Sequence, residues 1–524
     1  MNKNRFKKHL YSLAIVLLAG MALPSRADDG DLTLGAERRM GDGIAKQILR
    51  DPDYIDDPLL EEYVEGIWQS LLASARATGE LSPEMYERFA WRVMMGRDRS
   101  VNAFALPGGY FGVHLGLIGL VATRDELASV LAHELSHVTQ RHISRSISQQ
   151  GRQTPVLIAA MVLGALAVRK SPDAVGAVMA GSQAVAMQSQ LNYSRDMERE
   201  ADRIGFNLMQ PAGFAPQGFV AMFNQLQQSA RLSDNGNYPY LRSHPMTSER
   251  IGDMQSRMLS QHGSDVVGTR APPSTSSVMA HAMMAARARV LSDPGVDILR
   301  QWSAEPQKGG AAGFATFTAP RQAAVLYAAA LASVKLREPE RAKAYVARLK
   351  TVTAGDLHAL RVTHLIAAEL ALSAGDAAPA LALDAAAIAS PNAPSSGQAR
   401  PELFLVSKAQ IANKQADKAS QNLRTWVAVH PLDAPAWQLL GSAYAAMGQT
   451  LRATRAEAEA QVALLDYGAA LDRFRAAQEL VRLGGTTGTQ AGRDFIEESI
   501  VDVRTRQVQE LLKEQLKEEK EGLK

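Results

Sequence analysis

The residues with the clearest capacity for chemistry in this 524-residue chain are His133-Glu134-Leu135-Ser136-His137. On a helix, His133 and His137 stand one turn apart on the same face, so both imidazoles reach a single ion. Glu134 adjoins the first of them and can contact a water on that ion. H-E-x-x-H is the arrangement of a zinc hydrolase, in which the metal acidifies water and the glutamate takes its proton. Two histidines leave coordination positions open, so a third ligand must come from another element. Glu198-Arg199-Glu200-Ala201-Asp202 lies downstream with no competing His-rich segment. Glu198 and Asp202 share a helix face and Glu200 points elsewhere. Glu198 is therefore assigned to the metal, and Asp202 to orienting a ligand imidazole through its other ring nitrogen. One Zn2+ per chain is expected. His142, five residues past His137, falls off the ligand face of a continuous helix and is left out.

These residues need rigid elements to hold them. Thr123 and Glu126 have the spacing of a capping box, which starts a helix running over 123–142. Leu127, Val130, Leu131, Leu135 and Val138 recur at helical spacing and bury one side. A second helix over 194–209 carries Glu198 and Asp202. Upstream, 34–49 and 59–77 have 3.6-residue periodicity, with Pro52 and Pro58 breaking the pattern between them. Residues 89–95, 101–106 and 110–115 look like short strands, the last two joined by Pro107-Gly108-Gly109 as a hairpin just before the metal helix. Such a strand either pairs with extended substrate or is a plain sheet edge. The stretches 155–168 and 174–187 are strongly apolar but too short to span a bilayer as helices. They predict a buried helical hairpin over the site or a peripheral membrane contact.

Length implies two or three domains, and 46% hydrophobic with 21% charged residues describes an ordinary globular protein. Lys3, Arg5, Lys7 and Lys8 precede an apolar run at 10–20, and Ser25-Arg26-Ala27 supplies a small-residue cleavage site. Residues 1–27 thus predict a signal peptide cut after Ala27, with Ala22 the alternative. Removing its five basic groups takes the formal charge from +3 to about −2, which gives no case for nucleic-acid binding. There is no cysteine, so an exported form uses neither disulfide nor lipid anchor on cysteine. A bacterial periplasm fits best.

Residues 263–277 read as a linker, with Pro272-Pro273 among Ser and Thr. Beyond it the chain is alanine-rich and helical. Trp437, Leu440, Gly441, Tyr444 and Ala453 follow the tetratricopeptide pattern, whose period is 34. Leu403 and Ala419 lie 34 residues before Trp437 and Ala453, and Pro431 closes the unit. The stretch 467–477 reads as the second helix of a further repeat, out of phase by about four residues. Weaker pairs at 321–350 and 358–390 make about four degenerate repeats, interrupted over 391–400, stacked into a concave surface. A charged tail over 510–524 is solvated.

The motifs 133–137 and 198–202, with Asn102-Ala-Phe-Ala-Leu-Pro-Gly-Gly109, resemble the M48 family of zinc metallopeptidases, in its soluble periplasmic branch with a repeat domain. The resemblance is specific over about 30–260 and looser beyond. It implies a mainly α fold with a small β-sheet, a gluzincin-like metalloprotease domain (28–262) and an α-solenoid of tetratricopeptide-like repeats (278–524). It also implies an endopeptidase with chaperone-like activity in the quality control and assembly of outer-membrane proteins. The partners would be misfolded or stalled outer-membrane proteins and their assembly machinery. The alternative is a non-proteolytic chaperone or scaffold with a permanently closed metal site. By position, His244 in Leu241-Arg242-Ser243-His244-Pro245 matches a loop histidine that approaches the zinc and holds the enzyme latent. His244 as an oxyanion stabiliser is the competing role. The branch's typical disulfide is missing here, and with it any redox control.

Overall fold

The computed structural model describes residues 32–150, 195–232, 238–262, 275–308, 310–385, 399–483 and 491–521. The expected signal peptide, the apolar stretches at 155–168 and 174–187, and the interruption at 391–398 lie outside them.

Helix α1 (Leu34–Leu49) is capped by Thr33, whose hydroxyl accepts from the Ala36 amide. Strand β1 (Tyr54–Ile55) follows, too short to leave a sequence signal. Helix α2 (Pro58–Ala77) begins on the proline that marks the break, with Asp57 capping the Leu60 amide. Proline is tolerated there because a first-turn N–H has no helical partner to lose. After α3 (Pro83–Arg88) come β2 (Arg92–Gly96), β3 (Ala103–Leu106) and β4 (Tyr110–His114). The sheet order is β1-β2-β4-β3, with β3 and β4 antiparallel and β2 and β4 parallel. The turn at Gly108 and Gly109 uses φ of 73° and 79°, and a Cβ on Gly108 would stand 2.7 Å from the Arg38 Cα. The expected hairpin is therefore present, and it leaves β3 as an edge beside the next long helix.

Helix α4 (Leu115–Leu120) leads into α5 (Arg124–Thr139), the centre of the domain. Thr123 accepts from the Glu126 amide at 3.1 Å, while the Glu126 carboxylate accepts from the Ala122 amide at 2.7 Å. Every residue from Glu126 to Thr139 is buried, so α5 has no solvent face beyond its first two residues. The helix stops at Gln140, Arg141 takes φ 54°, and α6 (His142–Gln150) starts in a new direction. One helix to His142 was expected; there are two. Helix α7 (Arg195–Met209) lies across α5 where Gly205 meets Ala132. A Cβ on Gly205 would come within 3.1 Å of the Ala132 carbonyl, so glycine permits the close approach that sets Glu198 against the histidines. Helices α8 (Gln217–Leu232), α9 (Tyr240–Ser243) and α10 (Ser248–His262) close this half.

The second half is a stack of helices. It runs through α11 (Thr275–Leu291), α12 (Val296–Ala304), α13 (Gly310–Ala315), α14 (Ala319–Lys335), α15 (Pro339–Thr353), α16 (Leu357–Ser373) and α17 (Ala378–Ala385). It continues through α18 (Arg400–Ala412), α19 (Ala416–Val429), α20 (Ala434–Ala446), α21 (Thr450–Ala463), α22 (Tyr467–Leu483) and α23 (Ala491–Glu521). Helices α18 and α20 start 34 residues apart, as do α19 and α21, which is the period read from the sequence. Helix α22 starts 33 residues after α20 and so takes the first-helix place of the next unit, not the second. The apparent phase error came from aligning it to the wrong partner. The chain is thus mainly helical, with a small sheet and a helical repeat region. Among the described residues, no helix is long and apolar enough to cross a membrane.

The core does not stop between the halves: one cluster of buried side chains runs from Ile55 to Leu370. A charged seam accompanies it. Arg287 of α11 forks onto Asp57 at 2.6 and 2.8 Å and reaches Glu369 at 2.8 Å. Arg361 of α16 binds Glu62 at 2.8 Å and Glu402 at 2.6 Å, and Arg400 of α18 binds Asp56, Glu61 and Asp433. Further on, Leu464 and Leu465 pack beside Met94 and Tyr110, and Arg50 pairs with Asp466 at 2.6 Å. The stack therefore curls back onto the sheet.

Candidate metal centre

Helix α5 delivers His133, Glu134 and His137; α7 delivers Glu198 and Asp202; the C-cap of α9 delivers His244. All six are buried. His133, His137, Glu198 and His244 each point one ligand atom into a common space, with those atoms within 4.8 Å of one another. The two imidazoles of α5 face each other through Nε2 at 3.0 Å. Glu198 Oε1 lies 3.4 Å from His137 Nε2, and Oε2 lies 3.5 Å from His133 Nε2. His244 Nδ1 stands 3.0 Å from Glu198 Oε1 and 3.2 Å from His133 Nε2.

Burial pulls His133 down, but Asp202 and Glu198 outweigh it and push its pKa up to about 9. Burial holds His137 well below the ordinary imidazole range. Glu198 is held well below the carboxylate range: burial opposes this, and His244 and the two α5 histidines overcome it. Both carboxylate oxygens of Glu134 are buried; His244 Nε2 stands 3.4 Å from Oε1, and neither oxygen accepts a full hydrogen bond among the described residues. A buried carboxylate without a full hydrogen bond costs about 1–3 kcal/mol or more. Imidazole nitrogens from His133, His137 and His244 with a carboxylate oxygen of Glu198 fit a divalent ion of zinc's preference, His244 occupying the position a water would otherwise take.

The surroundings are specific. His133 Nδ1 lies 2.9 Å from Asp202 Oδ1. Arg250 donates to both Asp202 oxygens at 2.6 and 2.7 Å, stands 2.8 Å from Glu198 Oε2, and donates to the Pro245 carbonyl at 2.9 Å. One guanidinium therefore ties two acidic residues of α7 to the loop that carries His244. Tyr240 lies tilted against His244, ring centres 4.8 Å apart, and its amide donates to the Val101 carbonyl.

The structure brings all six sequence-selected residues together. Arg250, Tyr240, His142 and Glu200 escaped the sequence reading as site residues. His142 sits with Nδ1 2.8 Å from His137 Nδ1, because the break at Arg141 swings it back beneath the metal helix. Glu200 does point away from the common space, and its Oε2 lies 3.0 Å from His142 Nε2. The left-handed residue between two helices left no signal, since Arg141 is not glycine. Arg250 had none either: it lies 48 residues from its carboxylate partner.

Residues 58–258 match the model of peptidase family M48. A putative beta-barrel assembly-enhancing protease of Vibrio cholerae is 36% identical over 226 residues, 43% of this chain and 45% of that protein. The beta-barrel assembly-enhancing protease of Escherichia coli is 30% identical over 266 residues, 48% of this chain and 53% of that one. A mitochondrial metalloendopeptidase of Saccharomyces cerevisiae is 27% identical over 199 residues, 36% of this chain and 54% of the relative. The chain spans about half the length of these relatives.

Proposed function

We propose that this chain, which carries a peptidase family M48 domain, is a periplasmic zinc endopeptidase acting in the quality control and assembly of outer-membrane proteins. The reading takes 28–262 as the protease, 263–277 as the connection and 278–524 as a tetratricopeptide-type recruiting domain with chaperone-like activity. Its partners would be misfolded or stalled outer-membrane proteins and their assembly machinery. The observation that carries the reading is the convergence of His133, His137, Glu198 and His244 on one space, with the buried carboxylate of Glu134 beside His244 and without a full hydrogen bond. Relatives named for β-barrel assembly support the biological setting.

Zinc bound by His133, His137 and Glu198 would supply Lewis acidity and a lowered pKa for water. Glu134 takes the proton of the attacking water and hands it to the leaving amide nitrogen. Asp202 holds His133 by its outer nitrogen, and Arg250 fixes Asp202 and Glu198 together. Strand β3 lies at the sheet edge, the position at which an extended peptide can add as a further strand. His244 stands where it can take the fourth ligand position and keep the enzyme latent, or donate to the oxyanion once the loop has moved. That same placement favours the second reading, a scaffold whose site stays closed.

The test is metal depletion. Chelator-treated protein should lose cleavage of an unfolded polypeptide and regain it with one equivalent of zinc. Cleavage that persists in metal-free protein would overturn the proposal.

A further inference from the structure

The two histidines of α5 are held differently behind the metal face. His133 offers Nδ1 to a carboxylate, Asp202. His137 offers Nδ1 to another imidazole, that of His142, at 2.8 Å. Beyond it, His142 Nε2 lies 3.0 Å from Glu200 Oε2, which also accepts from Arg145 at 2.9 Å. Two ring nitrogens that face each other need one donor and one acceptor, and the outer end of the chain decides which. An ionised carboxylate accepts only. A neutral His142 then donates from Nε2, which leaves its Nδ1 with a lone pair. That lone pair accepts the N–H of His137 Nδ1, so His137 Nε2 carries no proton. Nε2 is the atom that faces His133 and Glu198.

We propose that His142 and Glu200 are positioning residues that fix the metal-competent tautomer of His137, with Arg145 anchoring the outer end. This rests on the zinc reading and deepens it. The interposed imidazole also has a physical reason. The site already buries Glu134, Glu198 and Asp202, and a fourth carboxylate beside His137 would add uncompensated charge. His142 lets that charge stay on Glu200, whose side chain is 31% exposed and paired with Arg145.

The experiment uses the full chain. Stripped protein is titrated with zinc against a chromophoric chelator, and 15N-histidine spectra of the metal-free protein report the His137 tautomer. His142→Leu should weaken zinc about 10- to 100-fold. His142→Asn places an amide oxygen where Nδ1 was and should recover affinity to within about threefold of wild type. Glu200→Ala, at a half-buried position that tolerates truncation, should weaken zinc about three- to tenfold. In His142→Leu and Glu200→Ala the His137 proton should move from Nδ1 toward Nε2, a change that a packing role would not produce. Zinc affinity within twofold of wild type in His142→Leu, or an unmoved tautomer in both variants, would overturn the proposal. A wild type that binds no zinc defeats the functional reading instead, while the tautomer measurement still decides this one.

Discussion

Two buried clusters of carboxylates hold this molecule's charge, and they are completed differently. In the seam between the halves, Asp57 and Glu369 face Arg287, Glu62 and Glu402 face Arg361, and Asp56 and Asp433 face Arg400. The acids at the start of α2 meet guanidinium groups from three successive parts of the repeat stack, in forks that match their geometry. At the metal centre, Glu198 and Glu134 face imidazoles, with His244 Nε2 3.4 Å from Glu134 Oε1 and no full hydrogen bond to either Glu134 oxygen among the described residues. In the seam every carboxylate lies against a guanidinium of its own chain, and so the seam reads as structure. The centre instead turns imidazole nitrogens and a carboxylate oxygen toward one space, a donor set compatible with a metal ion. Arg250 marks the boundary between the two modes: it neutralises Asp202 fully but touches only one oxygen of Glu198, leaving the other for the common space.

The contrast is sharpest where one ligand is removed. Glu198→Ala should abolish zinc binding and lower peptide hydrolysis by about a thousandfold or more, because no neighbouring acid can substitute. Retained stoichiometric zinc in that variant would dissolve the distinction. In the seam, Arg287→Met leaves Asp57 and Glu369 facing each other without a cation. Breaking a buried pair from one side costs about 3–5 kcal/mol, so the denaturation midpoint should fall steeply with zinc stoichiometry unchanged. An unaltered midpoint would show that the seam holds nothing.

His244→Ala tests whether the fourth position is a latch. If the closed loop is favoured by about 2.7 kcal/mol, roughly 1% of molecules are competent, and the variant should raise basal proteolysis up to about 100-fold with zinc retained. Activity that falls with zinc still bound assigns His244 to the oxyanion instead. Unchanged activity would remove it from both roles.

The smallest effect is at the rim of the seam. Burial and the neighbouring Asp56 carboxylate push Glu61 from 4.5 up to about 8. The folded state then binds more protons than the unfolded one between those values, so this group's contribution falls as pH rises from about 5 to 8. Glu61→Gln cannot titrate, and its melting temperature should decline less than that of wild type over pH 6–8.5. The side chain is 40% exposed, so solvent screening keeps the difference below about 0.5 kcal/mol. Parallel pH profiles would contradict the assignment.

What the sequence disclosed follows from the range of the signal. His133, Glu134 and His137 lie within one helical turn, and Glu198 and Asp202 within another, so periodicity alone placed their faces. The capping of α5 by Thr123 and the 34-residue period of α18 to α21 were legible for the same reason. Three features were not legible. The left-handed Arg141 redirects the chain and turns His142 from an off-face residue into a neighbour of His137. Arg250 reaches Asp202 across 48 residues, and Arg287 reaches Asp57 across 230, with no local pattern linking either pair. Helix α22 was assigned to the wrong half of its repeat because degenerate alanine-rich helices carry little to tell first from second.

The central claim is that Glu134 is the base for a water at a metal held by its neighbours. The direct measurement is zinc content and hydrolysis of an unfolded polypeptide by Glu134→Gln. The substitution keeps the shape, touches no ligand and removes the proton acceptor. One zinc per chain with cleavage lost by about three orders of magnitude or more is the predicted result. Cleavage at the wild-type rate with zinc in place would contradict it.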